Sequence, residues 1–211
     1  MRKRVLLLAV SCREGGLCPG GLDLDDPMKW IRIVRDDGHA SAVQGREVDF
    51  AKPLDIIEFD GRPMPQGKQQ ENWVIDHNSC KKTGNRTQDV LDWAHQQYAY
   101  NGFWGNYKAF LNEQEFADVS TPSESIMKVS NVRIYRNERG GAKIDFDWSG
   151  AKFRIKGVSV TDQDFYDRIR GGDVTFDNAY IVISIPKYCD WTLPETGEKR
   201  AYKFVSRIYK I

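Results

Sequence analysis

The sequence predicts a mainly β protein with short helices, and three observations support this class. Apolar and polar residues alternate in short runs, which is the period of a half-buried strand. Turns that contain glycine separate these runs at short intervals. Apolar residues make up 40% of the 211 positions, with 29% charged and 12% aromatic residues. Such a composition builds a hydrophobic core and is not that of a disordered chain.

The C-terminal half contains the clearest elements. Five strands are predicted, over Ile126–Asn137, Lys143–Trp148, Lys152–Val160, Ala179–Ile185 and Ala201–Tyr209. A helix is predicted over Asp162–Arg170, because Thr161 can cap its first turn and Gly171-Gly172 can end it. Three strands, a helix and two strands is the order of the OB fold, a small five-stranded barrel. We therefore predict an OB-type barrel over residues 126–211.

The N-terminal half is predicted to contain four strands and one helix. The strands are predicted over Val5–Val10, Met28–Arg35, Leu54–Asp60 and Asn72–Asp76, with a Gly-rich loop, Gly15–Pro27, after the first. Apolar residues at helical spacing predict a helix over about Thr87–Tyr98. These elements fit a second, modified OB-like barrel over residues 1–120. The stretch Phe110–Ser125 is the predicted linker, and the whole is read as two small OB-like β-barrels in one chain.

The charges are unevenly distributed along the chain. The segment Ile126–Ile211 holds 16 Lys and Arg against 11 Asp and Glu, whereas residues 1–125 hold 15 and 19. A basic C-terminal half indicates an anionic partner for that half. The four cysteines lack C-x-x-C spacing, and the apolar run Val5–Val10 is shorter than a signal peptide requires. A cytoplasmic location without a membrane partner is therefore predicted, since no run reaches the ~18–20 apolar residues of a membrane span.

Several short motifs resemble those of the prokaryotic dual OB-containing domain family. They are Ser11-Cys-Arg13, Cys18 in its Gly-rich loop, Trp30-Ile-Arg-Ile-Val34, Asp55-Ile-Ile57, Gln70-Glu-Asn-Trp73, Ser184-Ile185 and Tyr202-Lys-Phe-Val205. The resemblance spans nearly the whole chain. It implies two OB barrels, an association with defence or mobile-element proteins, and nucleic-acid binding that is inferred from the fold.

The strongest binding feature is a basic row on the third predicted strand of the C-terminal barrel. The row consists of Lys152, Arg154 and Lys156. Period-two spacing places these three cations on one face, about 7 Å apart. OB barrels bind single strands with a basic groove and aromatic platforms, so we predict a site for single-stranded DNA or RNA. The predicted site comprises Arg133, Tyr135, Lys152, Arg154, Lys156, Lys203 and Arg207.

Carboxylates on the neighbouring strand leave an alternative to this site. Asp145 and Asp147, with Lys143, share the outer face of that strand and can neutralise the basic row by cross-strand pairing. Because two neighbouring carboxylates can hold a catalytic metal ion, a metal-dependent hydrolase also remains an alternative function. The loop Asp23-x-Asp25-Asp26 offers oxygen ligands for Mg²⁺ or Ca²⁺. No catalytic signature, metal-ligand spacing or nucleotide-binding motif is present, so the sequence predicts a binding protein without a cofactor rather than an enzyme.

A second function from a different class is a protein-interaction or nucleotide-sensing module. Its ligand site is predicted at the Gly-rich N-terminal loop, where backbone amides can meet a phosphate. Two arginines there can bind an anion bidentately, and two side-chain amides can read base edges or satisfy buried backbone. This alternative site comprises Arg13, Cys18, Trp30, Arg32, Gln70 and Asn72.

Overall fold

The computed structural model describes residues 1–13, 16–26, 29–43, 47–98, 103–149 and 153–211; the side chains of Arg13 and Tyr166 lie outside the description. The chain divides into two compact units, Met1–Tyr98 and Ala99–Ile211. Within the described ranges, no helix combines the length and the apolar content needed to cross a membrane.

The described residues of the first unit form six strands and one helix. These are β1 (Arg2–Arg13), β2 (Gly16–Asp23), β3 (Trp30–Val34), β4 (Asp55–Pro63), β5 (Asn72–Ile75), β6 (Lys81–Asn85) and α1 (Val90–Tyr98). The strands pair in the order β1-β2-β3-β5-β4, and β4 pairs back onto β1, which closes the ring. The β3–β5 pairing is parallel and the other pairings are antiparallel. This is the strand order of an OB barrel, as the sequence predicts; β6 adds to β4 outside the ring.

Alternation along these strands fills the first barrel. Ile31 and Ile33 of β3 and Ile57 and Phe59 of β4 point inward and are buried, because every second residue of a strand faces the same side. The predicted loop Gly15–Pro27 is wrong for most of its length, since β2 occupies it. A Cβ on Gly21 would lie 2.1 Å from the carbonyl oxygen of Leu6. Glycine is therefore needed for the close approach of β1 and β2 rather than for a loop.

In the second unit, eight strands and two α-helices lie within the part of the chain that the structure describes. These are β7 (Phe110–Asn112), α2 (Glu113–Ala117), β8 (Glu124–Arg136), β9 (Ala142–Asp147), β10 (Ile155–Val160), α3 (Gln163–Arg168), β11 (Val174–Ser184), β12 (Trp191–Thr192), β13 (Lys199–Tyr202) and β14 (Phe204–Lys210). A closed barrel forms in the order β10-β14-β11-β8-β9, with α3 between its third and fourth strands. The C-terminal OB barrel predicted from element order is confirmed.

A small sheet, β12-β13-β7, accompanies this barrel. The sequence prediction assigned Phe110–Ser125 to a linker, with the first domain ending at residue 120. In the structure β7 pairs with β13, and the two compact units divide after Tyr98. The strand prediction 201–209 also needs correction, because β13 ends at Tyr202 and β14 begins at Phe204.

The helix α3 begins one residue later than predicted. Its N-cap is Asp162, whose Oδ1 accepts the backbone N–H of Asp164 at 3.1 Å. Thr161 instead donates its hydroxyl to the carbonyl oxygen of Val205 at 3.3 Å. Both residue types cap helices well, so the partner in β14 decides which of the two neighbours takes the cap position.

Candidate nucleic-acid interface

An open cleft of about 550 Å³ lies on the second barrel where β8, the start of β11 and the end of β14 meet. Three cationic side chains, those of Arg133, Arg154 and Lys210, line it together with Asn131 and Asp177. Two of the three cations belong to the site predicted from the sequence. The cleft is a place where an anionic strand can lie against the barrel.

Arg133 and Tyr135 are brought together on β8, as predicted. The Arg133 guanidinium lies 4.9 Å from the centre of the Tyr135 ring, and its Nε and Nη2 contact Asp173 Oδ2 at 2.8 and 2.7 Å. The hydrogen bond with Asp173 raises the pKa of Arg133. The Tyr135 hydroxyl donates to Asp145 Oδ1 at 3.2 Å, and burial raises the pKa of Tyr135. Arg133 is exposed and keeps N–H donors for another anion.

Cross-strand neutralisation, the alternative left open by the sequence, occurs at Arg154. Its Nη1 donates to Asp147 Oδ1 at 3.0 Å, and Asn131 Nδ2 donates to Asp147 Oδ2 at 2.7 Å. The hydrogen bond from Asn131, with that from Arg154, lowers the pKa of Asp147. Lys156 is exposed, and no carboxylate of the described residues lies within 4 Å of its amine. The basic row is therefore partly paired and partly available.

Phe153 lies where the sequence did not place it. The alternation predicts an inward Phe153 opposite Arg154, but its side chain is 68% exposed. The reason is that β10 begins only at Ile155, which is fully buried, so the alternation does not extend back to Phe153. An aromatic ring is thereby presented to solvent next to a cation of the cleft.

Two further residues of the predicted nucleic-acid site, Lys203 and Arg207, do not line the cleft. Lys152 lies outside the described residues. Lys203 is fully buried, so its prediction as an outward-facing residue is wrong. Arg207 is mostly buried, and its Nη1 contacts Asp162 Oδ1 at 3.2 Å and Asp164 Oδ2 at 2.6 Å, so it fastens α3 to the barrel.

The alternative N-terminal site is closed rather than open in the structure. Arg32 of β3 pairs directly with Asn72 of β5, and Trp30 lies in the same strand as Arg32. All three residues are buried: the exposed fraction is 2% for Trp30, 9% for Arg32 and 0% for Asn72. Arg32 Nη2 contacts Glu71 Oε1 at 3.3 Å.

Gln70 and Cys18 of that alternative site are more accessible than this buried group. Gln70 is exposed and donates to the carbonyl oxygen of Gly67 at 2.6 Å. Cys18 lies in β2 and is partly buried. The side chain of Arg13 lies outside the described residues.

The first unit has a cleft that the sequence did not predict, with a volume of about 770 Å³. Arg62 and His77 line it, and each contacts a carboxylate: Arg62 Nη2 lies 2.8 Å from Asp36 Oδ2, and His77 Nδ1 lies 2.7 Å from Glu47 Oε1. Burial raises the pKa of the Cys80 thiol to about 11, so this lining thiol is protonated at neutral pH. Among the described residues that line it, the cleft offers no surplus of positive charge to an anion.

The acidic loop that resembled a Mg²⁺ or Ca²⁺ site is neutralised by basic side chains. Asp23 contacts Lys3, Asp25 contacts Arg4 and Asp26 contacts Lys29, at 2.6, 2.7 and 2.5 Å. In the part of the chain that the structure describes, no group of three or more His, Cys, Asp or Glu is placed to hold a metal ion.

The comparison with protein families agrees with this architecture. The family model of the dual OB-containing domain matches residues 3–208. No curated protein matches the chain. The crystal structure of the tetrameric p202 HIN2 is similar over 100% of this chain and 92% of that chain, at 13% identity and a TM-score of 0.32. With two OB barrels and a family match over nearly its whole length, the chain belongs to the dual OB-containing domain family and is an OB-fold binding module.

Proposed function

We propose that the second barrel binds single-stranded DNA or RNA at the cleft between Arg133, Arg154 and Lys210. The observation that carries this proposal is the convergence on one open cleft of three cations, which come from β8, from β14 and from the residue before β10. Phe153 adds an exposed ring next to Arg154 in the sequence. OB barrels bind single strands through a basic groove combined with aromatic surfaces on which bases stack.

The ion pairs of the cleft are compatible with phosphate binding. Arg133 and Arg154 each contact one aspartate at the surface, and exposed ion pairs of this kind stabilise a protein by only about 0–1 kcal/mol. A guanidinium has five N–H donors and uses only one or two of them here, so a phosphate can share or replace the aspartate. We expect modest affinity that falls steeply with salt, because each phosphate contact releases counterions.

The proposal includes a binding role without catalysis. Asp145 Oδ1 accepts hydrogen bonds from the Tyr135 hydroxyl and from the Gly157 backbone N–H, the latter at 2.8 Å, while Asp147 accepts from Asn131 and Arg154. Both carboxylates thus serve the barrel as acceptors. A cytoplasmic setting in a defence or mobile-element system, which the family resemblance implies, belongs to the same proposal.

Replacing Lys210 with glutamate is expected to weaken binding of a labelled single-stranded oligonucleotide about tenfold at low salt. Lys210 is exposed in the cleft, with no carboxylate of the described residues within 4 Å, so the change removes one phosphate contact and adds repulsion. Fluorescence anisotropy over a salt series should also give a slope of log K against log salt that is smaller by about 1.

The matched control is Lys52→Glu, which makes the same charge change at an exposed lysine of the first unit. We expect it to bind as the wild type does. Wild-type protein that binds neither DNA nor RNA at low salt would overturn the proposed function. Equal affinity of Lys210→Glu and wild type would overturn the assignment of the cleft.

A further inference from the structure

The three-stranded sheet β12-β13-β7 has one face in the core and one face in solvent. Leu111 and Ala201 point into the core of the second unit and are 0% and 1% exposed. Direct pairing of Trp191 with Arg200, and of Tyr202 with Phe110, places these four residues on the opposite face. This outer face therefore collects three aromatic residues that are distant in the sequence.

The three rings form a continuous row, named here the aromatic row (Phe110, Tyr202 and Trp191). Ring centres lie 5.9 Å apart for Phe110 and Tyr202, and 6.1 Å apart for Tyr202 and Trp191. The Tyr202 and Trp191 planes meet at 85°, an edge-to-face contact. Trp191, at the end of the row, is 60% exposed. A large indole that contacts one neighbouring ring and is otherwise mostly exposed is suited to stacking with a planar ligand.

Cations lie among these rings. The Arg200 guanidinium lies 3.9 Å from the centre of the Phe110 ring, and the Lys108 amine lies 5.9 Å from the same centre. Glu198 contacts Arg200 at 2.8 Å. Two cations against one carboxylate leave the face positive. Rings interleaved with cations match a ligand whose planar groups alternate with anionic groups, as the bases and phosphates of a single strand do.

The position of the row in the barrel supports the same ligand. The hairpin β12–β13 lies in the connection between the fourth and fifth barrel strands, β11 and β14. In OB folds this connection borders the surface that binds oligonucleotides. The strand β14 begins at Phe204, two residues after Tyr202, and ends at Lys210, which lines the cleft. Its two ends lie roughly 20 Å apart, at about 3.3 Å per residue. One single-stranded oligonucleotide of ordinary length can thus contact both the aromatic row and the cleft.

We propose that the aromatic row binds unpaired bases of a single-stranded nucleic acid by stacking, with Trp191 as the main platform and Arg200 and Lys108 at the flanking phosphates. The inference rests on the proposed function and deepens it, because it makes the base faces a second determinant of binding beside the phosphates of the cleft. Stacking of this kind is tolerant of sequence, since every base has a π face.

The test compares Trp191→Ala with wild type on two labelled 12-nucleotide single strands, one of normal bases and one abasic at every central position. We expect Trp191→Ala to bind the normal strand about tenfold to a hundredfold more weakly, with an unchanged salt slope. Wild type should lose the same factor on the abasic strand, and Trp191→Ala should not discriminate between the two strands. Trp191→Phe, which keeps a ring, should retain most of the affinity.

Trp93→Ala is the matched control, because Trp93 is a 41% exposed tryptophan on α1 of the first unit; it should bind as wild type does. Wild type that binds neither strand would overturn the proposed function itself. Wild-type affinity in Trp191→Ala would overturn the aromatic row and leave the cleft standing. An equal loss on normal and abasic strands, with the circular dichroism spectrum unchanged, would overturn stacking and indicate that Trp191 contacts the sugar-phosphate backbone instead.

Discussion

Replacing Lys203 with methionine is expected to lower the free energy of unfolding of the second barrel by about 3–5 kcal/mol. The Lys203 amine donates to the carbonyl oxygens of Phe103 and Asn106 at 2.7 and 3.0 Å, and to Asn106 Oδ1 at 2.8 Å. It also lies 3.8 Å from the centre of the Phe103 ring. Methionine keeps the volume of the side chain but removes a donor from three acceptors, of which Asn106 Oδ1 keeps the backbone N–H of Lys108 at 2.9 Å. Each buried group left unsatisfied costs about 1–3 kcal/mol.

Urea unfolding followed by circular dichroism measures this loss. Lys156→Met is the matched control, because Lys156 is exposed and its replacement should change the free energy of unfolding by no more than about 0.5 kcal/mol. A loss below about 1 kcal/mol for Lys203→Met would contradict the anchoring role of the buried amine.

The same lysine is expected to make stability depend on pH. Burial lowers the pKa of Lys203 to about 6, against an ordinary value of 10.5, although the three acceptors oppose this by favouring the ammonium. Between these two pH values, the Lys203 amine is mostly protonated in the unfolded chain and mostly deprotonated in the folded chain. The free energy of unfolding should therefore rise with pH in this window, by at most about 1.4 kcal/mol per pH unit. Denaturation at pH 6 to 9 should show this rise in wild type but not in Lys203→Met; parallel curves would mean that the amine stays charged.

Replacing Asp162 with alanine is expected to cost about 3–4 kcal/mol of unfolding free energy. The Asp162 carboxylate is 1% exposed and caps α3. Its Oδ2 accepts the backbone N–H of Ile208 at 2.8 Å, and its Oδ1 accepts from Arg207 at 3.2 Å. Burial raises the pKa of Asp162 in spite of Arg207. Alanine removes the cap and leaves the Ile208 N–H buried without its acceptor.

Asp164→Ala is the control for this prediction. Asp164 also contacts Arg207, but its side chain is 58% exposed, so its loss should cost less than about 1 kcal/mol. Thermal unfolding of the two variants should separate them clearly. Equal melting temperatures would mean that the buried carboxylate contributes no more than the exposed one.

The second barrel could be predicted because each of its strands buries one face and ends at a turn. Ile144, Phe146 and Trp148 alternate with polar residues, and the structure buries all three. The first barrel was harder to predict, because β2 carries glycines that pack closely against β1 and give no alternation of apolar and polar residues. A single sequence cannot distinguish such a strand from a loop, because the reason for the glycine lies on another strand.

The candidate site could be predicted only in part for a related reason. The basic residues were visible as a pattern along one strand, but their partners come from elsewhere: Asp173 lies 40 residues beyond Arg133. The aromatic row likewise joins Phe110 to Trp191 and Tyr202 through strand pairing alone. A lysine is usually exposed, but Lys203 shares the period of Ala201 and Val205, which the structure buries, so only its charge suggested an outward position.

The buried amine between β13 and β14 has a consequence for ligand affinity. The aromatic row is carried by strands whose other face is packed into the core and whose junction is bonded to the backbone at Phe103 and Asn106. Its conformational entropy is therefore lost when the chain folds and not when a ligand arrives. A flexible hairpin would have to be ordered at each binding event, whereas this one presents its indole in advance. Preorganisation of this kind lets a small number of stacked rings give measurable affinity.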